Sequence, residues 1–276
     1  MKFLFIGDLM CHDDQLIRMK FGDTFNFDPS YDYIKSTFDR YDYVVANLET
    51  VLTDGPYNGF PKFSSPKSFG GSAIKAGVNC FMLANNHICD RGVTGVKSTI
   101  NYFESNDVLY TGVGTETHSK PVMIGNVAII NYTNFINVKV DGVLYNDLTD
   151  LKSIKSDIDY VKELGAKTII AVVHWGKEYE PMHSRIQETE ARQLVNLGVD
   201  IIIGSHPHVI QDVGYINGHP VIYSMGNFLS SQSEPECMAS IGVEIETDND
   251  IIQKINLIRF NVEDENGILK IKESQI

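Results

Sequence analysis

Cysteine is scarce in this chain. Four occur in 276 residues, and Cys11, Cys80, Cys89 and Cys237 form no C-x-x-C pair. That is no disulfide framework, and the four read as reduced thiols packed like small apolar groups. Positive charge is also short, with 23 Lys and Arg against 36 Asp and Glu, a formal net charge of -13. Such a field repels nucleic acid and anionic membrane, so no nucleic-acid partner is expected. A small anionic substrate then needs a local positive centre. Long hydrophobic runs are missing too: none approaches the ~18 residues of a transmembrane helix. The run Phe3–Ile6 behind Met1-Lys2 is too short for a signal peptide and is cut by Asp8. Leu9-Met10-Cys11 lacks the small residue expected before a lipoprotein cysteine. A cytoplasmic location is the expectation. No low-complexity or linker-like stretch divides the sequence, so residues 1–276 read as one domain.

What is present is a recurring pattern of short apolar runs that stop at a polar residue. Phe3–Ile6 stops at Gly7-Asp8, Tyr43–Ala46 at Asn47-Leu48-Glu49, and Phe81–Ala84 at Asn85-Asn86-His87. Ile169–Val173 stops at His174, and Ile201–Ile203 at Gly204-Ser205-His206. Runs that are apolar throughout, rather than alternating, read as strands buried on both faces. Helical spacing lies between them. Leu151, Ile154, Ile158, Val161 and Leu164 precede a Gly165 stop, Glu188–Leu197 precede Gly198, and Arg91–Ser105 follow Asp90 as a candidate N-cap. Strand-helix alternation predicts an α/β body with a mostly parallel core. The tail differs. Val209–Ile216, Asn217-Gly218 and Pro220–Ser224 predict a hairpin on a type I′ turn. Met238–Glu246, Gln253–Val262 and Ile268–Lys272 predict antiparallel strands, and Lys139–Asp150 a surface loop.

Parallel strands end on one edge of a sheet, and ligands bind there. Asp8, Glu49, Asn86, His174 and His206 each stand at or just past such an end, so residues two hundred positions apart are expected to converge. Imidazole, carboxylate and amide oxygen suit a divalent Mn, Fe or Zn ion. Two such ions would leave the site net positive despite the acidic chain, and a shared carboxylate holds a pair roughly 3.5–4 Å apart. His206-Pro207-His208 is the most specific local signal, because two imidazoles on a tight turn can serve two neighbouring ions. His87, beside Asn86, is the candidate catalytic residue, protonating a leaving group or steadying an oxyanion. Asp90 reads as a helix cap in preference to an orienter of His87. His12 is a further ligand candidate, Asn47 competes with Glu49 for the inward position, and Trp175, Tyr179 and Asn227 are candidate pocket residues. His118, His183 and His219 read as surface or turn residues.

Taken together, GDLM (7–10), NLET (47–50), ANNHICDRG (84–92), HWGKEYE (174–180), GSHPHVIQ (204–211) and YSMGNF (223–228) resemble the bacterial capsule-synthesis protein family of CapA type. These are the poly-γ-glutamate capsule biosynthesis proteins, related to the calcineurin-like metallophosphoesterases. The resemblance covers about residues 1–230. It implies a four-layer α/β/β/α sandwich with metal ligands Asp8, Glu49, Asn86, His174, His206 and His208, and with His87 at the catalytic position. It further implies a metal-dependent hydrolase acting on a small anionic or γ-glutamyl substrate, alongside polymer-synthesis proteins. Two departures stand out: Met10 occupies the place of a usual histidine, and Asn47-Leu48-Glu49 replaces a usual Gly-Asp. They keep open an alternative, a non-catalytic accessory protein with a degenerate site.

Overall fold

The structure is a computed structural model that describes residues 1–274. Two sheets stack face to face. In the first, Lys2–Leu9, Tyr43–Leu48, Cys80–Met82 and Leu109–Thr111 run parallel. Ala239–Asp248, Ile251–Glu265 and Ile268–Ser274 extend this sheet as an antiparallel flank. The short strand Asn227–Leu229 pairs in parallel with the end of Lys2–Leu9. In the second sheet, Val127–Thr133, Thr168–His174, Ile201–Ser205 and His219–Ile222 are parallel, with Val122–Ile124 and Val213–Ile216 antiparallel at its two edges. The α/β class and the sandwich are therefore as the sequence implies.

Strand periodicity explains the stacking. Successive side chains point to opposite faces. Along the first strand, Phe3 and Phe5 enter the core between the sheets with Val45, Ile170 and Val172. Leu4 and Ile6 enter the outer core with Phe69, Val96 and Phe103, which the helices Lys67–Ala76 and Gly92–Ser105 supply. On the second sheet Ile130, Ala171 and Val173 pack outward against Ile154, Ile158, Ala191 and Leu194 from the helices Leu151–Glu163 and Arg185–Leu197. Both faces of each sheet are thus covered, which is why the runs carry no alternation.

Ends follow local chemistry. The Asp150 carboxylate accepts from the backbone N–H groups of Lys152 and Ser153 at 3.1 and 3.2 Å. The helix expected from Glu188 begins earlier, at Arg185, because Ser184 and Gln187 form a capping box. It stops at Gly198, whose φ of 107° is left-handed. The hairpin turns on Asn217 and Gly218 at φ 51° and 87°, as a type I′ turn requires. Its first arm is shorter than expected, Val213–Ile216, since residues 206–211 form a loop at the site instead. Within 139–150 the chain is mostly loop, with Leu144–Tyr145 pairing with Val113–Gly114. All four cysteines are free and buried. Burial pushes the Cys80 and Cys89 thiols up to about 12 and about 11, so they act as packing groups. Among the described residues no helix is long and apolar enough to cross a membrane.

One close approach bears directly on the site. A Cβ at Gly7 would lie 1.8 Å from the carbonyl oxygen of Gly226, which accepts the Asp8 N–H at 3.2 Å. Gly7→Ala must push this backbone apart, and a loss of about 3 kcal/mol is expected. Urea unfolding reads it as a lower midpoint at unchanged slope.

Candidate metal centre

The parallel strands of both sheets end at one place. Asp8 is the last residue but one of the first strand and, through its pairings, stands opposite Asn47 on one side and Asn227 on the other. Glu49 follows the strand Tyr43–Leu48, His174 closes Thr168–His174, and His206 follows Ile201–Ser205. Asn86 and His87 lie in the turn after Cys80–Met82. Asp8, Glu49, Asn86, His87, His174, His206 and His208 are all buried.

The distances define an inward-facing set of acceptors. Glu49 Oε1 lies 3.6 Å from His174 Nε2 and 3.9 Å from His208 Nε2. Asn86 Oδ1 is 2.9 Å from His174 Nε2, and Asp8 Oδ2 is 3.4 Å from His208 Nδ1. Ligand atoms of Glu49, His206 and His208 fall within 4.8 Å of one another, and so do those of Asp8, Glu49 and His174. Glu49 belongs to both groups. The histidines of the Ser205–His208 turn are held at unusual backbone angles: φ is 97° at His206 and 61° at His208. Left-handed backbone at a non-glycine residue costs on the order of 1–3 kcal/mol and persists where the surroundings impose it. Here it turns two rings, 5.7 Å apart, into the same cluster.

Electrostatics decide what such a cluster accommodates. Both Glu49 carboxylate oxygens and His206 Nδ1 are buried without a hydrogen-bond partner. A buried unpaired acceptor costs roughly 1–3 kcal/mol, and a charged one more. Burial, then the nearby Asp8 charge, holds the Glu49 carboxyl well above its ordinary value. Burial and the neighbouring imidazoles hold His174 well below its ordinary value and bring His206 down to about 3, so both are neutral with a lone pair to offer. The unpaired Glu49 oxygens and His206 Nδ1, set among further imidazoles and a carboxylate, make the donor set of a divalent cation. On this test the residues fit a metal.

The supporting polar groups were less visible in the sequence. Asn47 does not compete with Glu49: it donates to Asp8 Oδ1 at 2.7 Å and lies 3.4 Å from His174 Nδ1. Asn227 Oδ1 is 3.0 Å from His208 Nδ1, and Ser205 Oγ is 3.0 Å from His174 Nδ1. Such contacts orient an imidazole and set its tautomer. Asp90 departs from expectation. Residue 91 precedes the helix Gly92–Ser105 with no side-chain cap, and Asp90 Oδ2 instead accepts from Phe63 N at 2.7 Å and lies 2.7 Å from His87 Nδ1. Asp90 is therefore the orienter of His87, whose ring is also packed edge-on against Phe63 at 4.6 Å.

His12 belongs to neither ligand group. Its N–H donates to Gln15 Oε1 at 2.8 Å, at the head of the helix Asp13–Arg18. Trp175 is not a pocket residue either: it is fully buried in the second sheet's outer core and donates to the carbonyl oxygen of Tyr223 at 2.9 Å. Tyr179 is half exposed at the mouth, its ring 6.1 Å from His208. Glu178 escaped notice in the sequence; its carboxylate reaches within 4.0 Å of His208 Nε2.

Most of the chain matches known proteins. The family model described as "Bacterial capsule synthesis protein PGA_cap" matches residues 2–232. The chain is 31% identical over 249 residues to "Capsule biosynthesis protein CapA" of Bacillus anthracis, covering 82% of this chain and 59% of that protein. It is 29% identical over 244 residues to "PGA biosynthesis protein CapA" of Bacillus subtilis (strain 168), covering 83% of this chain and 63% of the relative. It thus spans about three fifths of the length of these relatives. Among solved structures, a hypothetical protein from Thermus thermophilus superposes with a TM-score of 0.59 at 17% identity, covering 95% of this chain and 99% of that one, a likeness of fold alone.

Proposed function

The chain belongs to the bacterial capsule synthesis protein family, and from that premise we propose that its histidine–carboxylate cluster is the two-metal centre of a hydrolase serving poly-γ-glutamate synthesis. The observation that carries this reading is the Glu49 carboxylate, fully buried, unpaired, and common to both ligand groups. Asp8, Glu49, Asn86, His174, His206 and His208 would hold two divalent ions, Mn, Fe or Zn. Bound there, the ions would supply Lewis acidity and stabilise charge developing on a phosphoryl or acyl oxygen. The protein's own groups do the rest. Asn47, Ser205 and Asn227 fix the imidazoles of His174 and His208 through Asp8 or directly. His87, its Nδ1 held by Asp90, keeps Nε2 free to deliver a proton to the leaving group. The substrate class is a small phosphoester or a γ-glutamyl compound, handled beside other polymer-synthesis proteins.

Metal analysis after reconstitution with Mn, Fe or Zn tests the centre. The parent is expected to retain up to two equivalents, and His206→Ala and His208→Ala each to lose at least half of that while staying folded by circular dichroism. Less than one equivalent in the reconstituted parent would sink the reading. Activity is then screened against phosphomonoesters, phosphodiesters and γ-glutamyl peptides. One observation favours a second reading, a non-catalytic accessory protein: the place of the usual histidine holds Met10, which is buried and offers no imidazole. Full metal content without turnover of any of the three substrate types would favour it.

A further inference from the structure

The segment that follows the strand Thr168–His174 is fastened to the turn carrying His206 and His208. Tyr179 N donates to the carbonyl oxygen of Pro207 at 2.9 Å, and Gln211 Nε2 donates to that of Glu180 at 2.9 Å. Gln211 is itself buried and accepts from buried Gln187 at 2.8 Å. The Tyr179 hydroxyl accepts from Gln232 Nε2 at 3.1 Å, Gln232 Oε1 accepts from Asn227 Nδ2 at 2.7 Å, and Asn227 in turn holds His208. These contacts set the Glu178 carboxylate at the edge of the cluster. His208 Nε2, on a side chain 2% exposed, makes no hydrogen bond among the described residues and stands 3.9 Å from Glu49 and 4.0 Å from Glu178.

Glu178 is not spent on the fold. Among the described residues its carboxylate accepts no hydrogen bond and faces no lysine or arginine, since the adjacent Lys177 is paired with Glu180 at 2.7 Å. It belongs to neither ligand group, and its side chain is 44% exposed. A cavity of about 340 Å³ adjoins it, lined by Tyr179, Pro181, Val209, Glu234, Glu236 and Cys237. Val209 is the chain neighbour of His208, so the cavity borders the metal cluster. Every charge on its lining is negative. Burial, then the Glu178 charge, pushes the Tyr179 hydroxyl up to about 12, with Cys237, Glu234 and Glu49 acting the same way. That hydroxyl is thus within electrostatic reach of the cluster and the cavity rim alike.

We propose that Glu178 is a specificity-determining residue, whose carboxylate receives an ammonium group of the substrate at the mouth of the cavity beside Tyr179. The proposal rests on the hydrolase reading and narrows its substrate. The reacting group is drawn to the metal cluster, and the ammonium to the one uncommitted carboxylate next to it. The Tyr179 ring adds an aromatic face for a cation. A terminal γ-glutamyl residue carries its ammonium a few bonds from the scissile carbonyl. An interior residue of a γ-linked chain has that nitrogen acylated and keeps only a carboxylate, which Glu178, Glu234 and Glu236 repel. The site therefore suits the amino-terminal end of such a chain, or an aminoalkyl phosphoester, and not the interior of the polymer.

The test reads binding, so that it stands apart from turnover. Two pairs of probes are used, each differing in its ammonium group: γ-glutamyl-glutamate with its N-acetyl derivative, and phosphoethanolamine with ethyl phosphate. All are titrated by calorimetry at low salt into the full chain, loaded with Mn and again in chelator. The ammonium-bearing member is expected to bind about tenfold tighter or more, the scale of one charge-assisted contact. Glu178→Gln keeps the size of a half-exposed side chain and is expected to bring that ratio to about one at unchanged metal content. Glu178→Asp, which keeps the charge, is expected to retain most of the preference. A preference in the dipeptide pair alone assigns the site to a γ-glutamyl terminus; in the phosphate pair alone, to an aminoalkyl phosphoester; in both, to ammonium groups at large. Equal affinity within both pairs, no saturable binding of any probe, a preference that Glu178→Gln leaves untouched, or loss of metal in that variant overturns the proposal. A parent that holds less than one equivalent of metal yet keeps the preference in chelator sinks the hydrolase reading alone.

Discussion

Glu49→Gln is expected to make the metal-free protein more stable at neutral pH and to remove its response to metal. The parent buries a carboxylate whose two oxygens find no donor. Burial, with the Asp8 charge second, raises its carboxyl well above the ordinary value of 4.5. The sign follows from proton linkage. Above pH 4.5 the unfolded chain has released this proton while the metal-free fold still holds it, so stability falls as pH rises from there towards the folded value. A glutamine carries no such dependence. Glu49→Gln should therefore exceed the parent by about 1–3 kcal/mol in chelator at neutral pH, and match it near the acid end of the range. With metal the order reverses. An ion that binds only the fold stabilises it by mass action, and the variant has lost the ligand shared by both groups. Chemical denaturation of both proteins, with chelator and with excess Mn or Zn, reads all four values. A parent that is as stable as the variant in chelator and gains nothing from metal would show that the carboxylate is no ligand.

How much of this was legible in the sequence depends on whether a residue's role is set by its own strand or by a neighbour's. Asp8, His174 and His206 stop apolar runs, and a run with both faces buried has to end at the sheet edge, so their convergence could be read directly. Asn227 could not. Its place opposite Asp8 comes from a strand pairing across more than two hundred residues, and its sequence, Gly226-Asn227-Phe228, equally suits a turn. Asp90 is three residues from His87 and just before a helix, a spacing that serves a cap and an orienter equally well. The choice is made by Phe63, whose backbone N–H takes the same carboxylate oxygen. Val209–Gln211 look like the start of a strand because they lie in an apolar stretch. Yet the left-handed backbone at His206 and His208 turns the chain away, and nothing in composition announces it. Trp175 shows the converse: a residue next to a site histidine whose indole is spent on the core.

His87→Ala is expected to leave metal content and fold intact and to cut turnover by about 10²–10⁴, the range for loss of a positioned acid or base. The ring does not belong to either ligand group, so its loss leaves the cluster's acceptors in place. What it removes is an imidazole held by two contacts. Asp90 Oδ2 at 2.7 Å from Nδ1 sets the tautomer and Phe63 packs edge-on against the ring, while Asn85 Oδ1 accepts the backbone N–H of His87 at 3.2 Å, a bond that alanine keeps. Asp90→Asn separates orientation from proton transfer. An amide keeps the size of the side chain but no longer offers two equivalent acceptor oxygens, so His87 Nδ1 is held less firmly. Turnover should fall while metal content and KM change little, and Asp90→Glu should restore part of it. A purely structural role for Asp90 would lower stability and leave the turnover of the folded protein where it is. For His87, activity equal to the parent's on the substrate that the parent turns over best would remove it from the mechanism. A loss of metal alongside activity would make it a ligand instead.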